Sequence, residues 1–190
     1  FGRRLEHVFS TYDPAITAVQ LNLLGSHDTP RVRTVCGGDL ASVRMATLVQ
    51  MTVVGAPSIY YGDEIGLAGG HDPACRGAFP WDEAAWDQGL FDYTCGAIAL
   101  RGAHPVLRHG SFAVVAADGL AMAYRRSDED ASVVVALNAG EEPRTLDLRL
   151  PDLVGRWLVA ENWTGMDVLE HGGTRAVEVA GDGSATVTLP

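Results

Sequence analysis

Val19-Gln-Leu-Asn-Leu-Leu-Gly-Ser-His-Asp-Thr-Pro-Arg31 reads as a strand running into a loop that carries chemistry. Residues 19–24 form an apolar run of strand length, and Gly25 ends it. Further on, Asp39 is a good helix cap, and Leu40, Val43, Ala46, Leu48, Met51 and Val54 recur near helical spacing, which predicts a helix over 40–53. Gly55-Ala-Pro57 stops that helix, and Ser58-Ile-Tyr-Tyr61 is a second short strand ended by Gly62. A loop rich in Gly, Pro and Asp follows from 63 to about 92, and 90–103 reads as a helix closed by His104-Pro105. Strand, helix, strand, helix, with the loops after the strands, is the order of a parallel α/β unit. Two such units cannot close a sheet, whereas a (β/α)8 barrel needs eight strands. Residues 1–104 are therefore expected to form the C-terminal part of such a barrel.

Beyond Pro105 the pattern becomes all-β. Runs at 111–115, 120–125, 132–138, 144–150, 157–162 and 186–189 alternate in part, and turn signals such as Ala117-Asp-Gly119, Ala139-Gly140 and Gly181-Asp-Gly183 separate them. Their spacing predicts an antiparallel β-sandwich over 105–190, packed directly on the first part because no low-complexity linker intervenes.

With 190 residues the chain is long enough to bury a real core. Its formal charge of -10, with no basic stripe to neutralise phosphates, argues against nucleic acid as a partner. No apolar run reaches membrane-spanning length, and the first residues show no basic-then-apolar secretory pattern. All 14 cationic residues are Arg, a bias shared by positions that meet no ligand. Cys36, Cys75 and Cys95 form no C-x-x-C pair and are odd in number, which argues against a disulfide framework or a thiolate zinc site; a reducing compartment or simple indifference fits, and localisation stays open with the cytoplasm slightly favoured.

His27 and Asp28 fall just past the C-terminal end of the first predicted strand, where barrel enzymes keep their chemistry. A carboxylate beside a His grips neighbouring hydroxyls, and an isolated pair of this kind also serves simply to cap a local turn. The stretch from Val19 to Asp28 resembles the fourth conserved region of the α-amylase superfamily, usually an apolar strand ending in Asn-His-Asp. Ser26 stands here where most members have Asn, a form similar to the neopullulanase, cyclomaltodextrinase and maltogenic-amylase group. The resemblance implies that Asp28 is the third catalytic carboxylate, stabilising the transition state, and that His27 donates to a hydroxyl of the sugar in the cleavage subsite. Arg31 would steady the loop, with a sugar contact as its other reading.

Gly55-Ala-Pro-Ser-Ile-Tyr-Tyr-Gly-Asp-Glu-Ile-Gly66 resembles the eighth-strand segment of the same superfamily. Taken alone, Tyr60 and Tyr61 read as core aromatics and Asp63-Glu64 as a solvated pair. An acid and a base are the other option for paired carboxylates, but the resemblance gives this pair a supporting position. Asp72-Pro-Ala-Cys-Arg76 followed by Phe79-Pro-Trp81 resembles the sugar-binding loop of the neopullulanase-like group, which implies that Asp72 and Arg76 clamp hydroxyls of the donor-side glucose. Read without the family, they are an ordinary loop salt bridge. Trp81 is expected as a buried hydrophobic anchor, with stacking on a sugar face as the alternative.

A retaining glycosidase also needs a nucleophile and an acid/base carboxylate about 5 Å apart. In the family these lie on the fourth and fifth barrel strands, the nucleophile within Gly-x-Arg-x-Asp, and no such stretch occurs here. The resemblance thus implies the C-terminal portion of an α-glucan hydrolase, inactive alone. Its partners would be an α-glucan oligosaccharide and either the missing N-terminal barrel part or a second copy covering the open sheet edge. Some family members bind calcium through ligands largely outside this segment, so no cofactor or metal is expected. Two other readings stay open. One is a non-catalytic β-sandwich module, either structural or carbohydrate-binding with Trp157, Trp163 and Tyr124 as a platform. The other is a metal-dependent phosphohydrolase using His27-Asp28 and His71-Asp72.

Overall fold

The computed structural model describes residues 1–153, 157–160, 175–178 and 180–189, the second and third of these as backbone only. The chain divides into two compact units, Asp13–His109 and Phe1–Tyr12 together with Gly110–Pro190.

In the first unit a short helix, α2 (Pro14–Thr17), precedes β1 (Leu21–Leu23). Another short helix, α3 (Val32–Val35), follows β1, and then α4 (Leu40–Thr52), β2 (Ala56–Ser58), α5 (Gln88–Ala103) and α6 (Val106–His109). The helix before all of these, α1 (Gly2–Thr11), belongs to the other unit. Strands β1 and β2 pair in parallel, Leu21 with Ala56 and Leu23 with Ser58. The strand-helix-strand-helix reading therefore stands, with β2 two residues earlier than its aromatic run promised. Side-chain amides cause the shift: Gln50 donates to the carbonyls of Asn22 and Ser58, and Asn22 donates to that of Val54. The Asp63 amide then donates to the Tyr60 carbonyl and folds the tyrosines into a turn.

Asp39 caps α4 as expected, accepting from the amides of Ala41 and Ser42, and Asp87 caps α5 by accepting from Leu90. The cap at Asp87 starts α5 two residues before the sequence pattern did. Val43 of α4 and Leu90 of α5 meet Val32 in a buried cluster, with Leu24, Leu40 and Cys36 packed around it. Gly55 turns the chain from α4 into β2 at φ 105°, where a Cβ would stand 2.7 Å from the Gln20 carbonyl oxygen. From α5, Arg101 donates to the carbonyls of Met51 at 2.7 Å, Val53 at 3.3 Å and Gly55 at 2.6 Å, locking this corner.

The second unit is antiparallel. β3 (Ser111–Asp118), β4 (Ala121–Ser127) and β5 (Ser132–Asn138) form a sheet in that order. β6 (Arg144–Arg149) pairs with β9 (Ser184–Leu189), and β7 (Trp157–Ala160) pairs with β8 (Arg175–Glu178). Each of the six predicted runs contains a strand among the described residues, residues 161–162 of the fifth lying outside them; β8 had no foreseen counterpart. Ala121, Ala123, Leu146, Leu148, Leu150 and Ala185 make the core between the first two sheets. Helix α1 lies on β3: Gly2 abuts Val114 and Met122, Phe9 meets Phe112 edge-on at 5.0 Å, and the Glu6 carboxylate accepts from the Val114 amide. This packing assigns residues 1–12 to the β unit. Pro105 opens a last helical turn with Val106 and Leu107 buried, so the units divide at 109/110 where the sequence drew its line at 104/105. Tyr124 is fully buried in β4, which removes it from any sugar platform; Trp163 and the side chain of Trp157 lie outside the described residues.

Arg101→Met strips three carbonyls of a charged donor, and an unfolding free energy roughly 2 kcal/mol lower is expected. Urea denaturation followed by far-ultraviolet circular dichroism would read this as a lower midpoint at unchanged slope.

Candidate functional site

The loop after β1 is shaped by its own hydroxyls. Ser26 Oγ accepts from the Asp28 amide at 3.2 Å and lies 3.0 Å from Thr29 Oγ1, and Ser26 and Thr29 form an isolated bridge. Serine at this position thus provides a compact turn that presents residues 27 and 28 outward. His27 Nε2 and Asp28 Oδ2 are 3.1 Å apart, and both side chains are about two-thirds exposed.

The Asp72–Arg76 segment comes up beside them. Arg76 Nη2 lies 2.6 Å from Asp72 Oδ1, and Arg76 Nε donates to the His27 carbonyl at 3.2 Å. The Cys75 thiol donates to the same carbonyl at 3.1 Å. The four residues singled out as catalytic or sugar-binding, His27, Asp28, Asp72 and Arg76, thus cluster on one surface. The Asp72–Arg76 pair is half-exposed, and an ion pair in that setting contributes at most about 1 kcal/mol. Both groups can therefore exchange each other for hydroxyls at little cost, the carboxylate as acceptor and the guanidinium as donor.

Beneath this surface sits Arg31, which is fully buried and offers no face to a sugar. Its Nε donates to the Cys75 carbonyl at 2.8 Å and its Nη1 to the Tyr61 carbonyl. The guanidinium also lies over the rings of Tyr60 and Tyr61, at 4.2 and 4.5 Å. Its counter-charge is Asp63, with Nη1 3.3 Å from Oδ1. Asp63 is itself buried, which overturns the reading of Asp63-Glu64 as a solvated pair. Loss of hydration pushes the Asp63 carboxyl up to about 6, against the opposing pull of Arg31 and with a smaller upward push from Glu64.

Trp81 also departs from expectation. It is 85% exposed, resting edge-on against Phe79 at 4.9 Å. Trp86 fills the anchor position: its indole donates to the Pro80 carbonyl, and its ring packs between Phe79 and Phe91. Of the site's framework, Cys75 had no assigned role in the sequence; Asp63 had the supporting position that the resemblance implied, and Tyr61, read as a core aromatic, is partly exposed. Among the described residues no set of three His, Cys, Asp or Glu side chains could hold a metal ion, so the two His-Asp pairs lack a third ligand. Nor is any described helix long and apolar enough to cross a membrane.

With this geometry in view, residues 3–110 match the family model of the alpha-amylase catalytic domain, and the chain belongs to that family. It is 41% identical over 161 residues to a cyclomaltodextrinase of Geobacillus thermopakistaniensis, covering 84% of this chain and 27% of that protein. To neopullulanase 2 of Thermoactinomyces vulgaris it is 44% identical over 140 residues, covering 72% of this chain and 24% of the relative. The solved debranching enzyme of Nostoc punctiforme superposes on 99% of this chain and 37% of its own with a TM-score of 0.79, at 35% identity. The relatives are glycoside hydrolases, and the chain spans about a quarter of the length of the curated relatives it matches.

The raised carboxyl of Asp63 has a signed effect on stability. The folded state holds its proton more tightly than the unfolded state. The stability tied to that proton is full below about pH 4 and is lost as pH rises through about 6. The melting temperature of the native chain minus that of Asp63→Asn should therefore increase as pH is lowered from 8 to 5. A difference that stays flat over this range would contradict the assignment.

Proposed function

We propose that the chain is the C-terminal portion of a retaining α-glucan hydrolase, comprising the last βα units of a (β/α)8 barrel followed by an antiparallel β-sandwich. Its substrates would be maltodextrin, cyclodextrin, pullulan or starch, cleaved at α-1,4 and, in some of these, α-1,6 glucosidic bonds. The observation that carries this reading is the convergence of Arg76, paired with Asp72, on the carbonyl of His27 next to Asp28. Family membership and the names of the cyclomaltodextrinase and neopullulanase relatives support it.

In such a reaction one carboxylate attacks the anomeric carbon while a second protonates the departing oxygen, and the ring passes through an oxocarbenium-like state. Asp28 would face the positive charge that develops on the ring, attracting it more strongly in the transition state than in the ground state. His27 would donate to a hydroxyl of the same sugar, and its rim position beside Asp28 supports that role. Asp72 and Arg76 would hold the neighbouring donor-side glucose, and Trp81 offers an open aromatic face for stacking. The nucleophile and acid/base would come from strands that this sequence does not contain. Those strands, or a second copy of the chain, would also cover the exposed Val19, Leu21 and Leu23 about β1.

The test is release of reducing sugar from β-cyclodextrin, pullulan and soluble starch. The 190-residue polypeptide alone should release none. Joined to barrel strands that supply the nucleophile and acid/base, it should become active, and Asp28→Asn should then lower kcat by about a thousandfold with a smaller change in KM. Turnover by the chain alone that Asp28→Asn abolishes would sink the proposal.

A further inference from the structure

The surface groups at this site stand on a buried ion pair whose arrangement is costly to maintain. Nη2 of Arg31 and Oδ2 of Asp63 are buried without a hydrogen-bond partner among the described residues. Burial raises the carboxyl of Asp63 above the usual carboxylate range despite the pull of Arg31. A buried pair of this kind is a poor source of stability, and a well-packed neutral pair of similar shape would cost less. What the pair does provide is geometry. The Arg31 amide donates to the Gly69 carbonyl at 2.9 Å, its Nε to the Cys75 carbonyl, and its Nη1 to the Tyr61 carbonyl. Asp63 in turn presses so closely on the β1 exit that a Cβ on Gly25 would meet its Oδ2 at 2.3 Å.

We propose that Arg31 and Asp63 are positioning residues for the sugar site: Asp63 orients Arg31, Arg31 fixes the backbone at Gly69 and Cys75, and this sets where Asp72 and Arg76 stand against His27. What the site binds rests on the glucan reading above, but the positioning does not. The transmission is short. Cys75 is held on both sides, its carbonyl by Arg31 and its thiol against the His27 carbonyl, and Arg76 is the next residue in the chain. Loosening Arg31 frees the Cys75 carbonyl, and with it the thiol that now lies fully buried. The charged and titratable groups around the pair are Arg33, which donates to the Gly66 carbonyl, Tyr60 and Tyr61 under the guanidinium, Glu64, and Asp87, whose amide donates to the Ile65 carbonyl.

The experiment uses the whole chain as wild type, Arg31→Met, Arg31→Lys and Asp63→Asn, with Arg125→Met as a control that breaks an ion pair in the other unit. Reaction of Cys75 with 4,4′-dithiodipyridine is followed by peptide mass spectrometry, exposed Cys95 serving as internal standard. Maltotriose affinity is measured by calorimetry on the same proteins. Arg31→Met should speed Cys75 labelling at least tenfold and weaken maltotriose binding at least fivefold, and Arg31→Lys should recover part of both. Asp63→Asn should label faster than wild type at pH 8 and at the wild-type rate at pH 5, where the native carboxyl is itself protonated. Arg125→Met should change neither readout.

Wild-type protection of Cys75 at pH 8 in folded Arg31→Met or in Asp63→Asn would overturn the proposal, as would an equal rise in Arg125→Met. Should Arg31→Met fail to fold, Arg31→Lys and Asp63→Asn decide by the same labelling. If the wild type binds no maltotriose, the glucan reading fails while Cys75 labelling still decides the positioning.

Discussion

A guanidinium cut off from water governs the first unit: Arg31 must find its hydrogen bonds inside the protein, and it finds them in backbone carbonyls of separate segments. A buried charge tolerates little freedom, because each lost partner exposes the full cost of its desolvation. The segments that supply those partners are therefore constrained together: the turn after β2, and the loop that rises to Cys75. The rings of Tyr60 and Tyr61, their centroids 4.6 Å apart, pack together against one side of the guanidinium. Segments that sequence alone would class as loops acquire the definition of core elements.

This produces a division by depth. Groups suited to meet a ligand, His27, Asp28, Asp72 and Arg76, are half-exposed or more and weakly engaged with one another. Groups that hold them, Arg31, Asp63 and Cys75, are buried and strongly engaged. The same residue types occur in both layers, so charge alone does not separate binding from support; surroundings do. The antiparallel unit repeats the device with Arg126, a fully buried arginine that donates to the carbonyls of Gly110 and Ser111 at the start of β3.

Much of this order was legible in the residues. Periodicity and caps gave α4 and α5 within two residues, and turn signals located the strands from β3 to β6. The clustering of His27 with Asp72 and Arg76 was implied by resemblance: His27 stands just beyond β1, whereas Asp72 and Arg76 lie well into the loop after β2 and were marked only by their likeness to a family motif. Other features escaped for identifiable reasons. β2 slid toward its N-terminus because long-range amide bonds from Gln50 and Asn22 outweigh the local aromatic preference. Asp63 looked solvated because nothing local announces a partner 32 residues earlier in the chain. Trp81 lies exposed where an anchor was expected, and Trp86, to which the sequence reading gave no role, takes that place because its indole finds the Pro80 carbonyl.

Arg76 and Cys75 grip the main-chain oxygen of His27, and among the described residues its imidazole meets Asp28 alone. A main-chain anchor is indifferent to what the side chain is. Position 27 is therefore a socket: its occupant can be exchanged, in evolution or by design, while the scaffold that presents it stays intact. Substitution at this rim disturbs few partners, whereas each change in the layer beneath disturbs several at once.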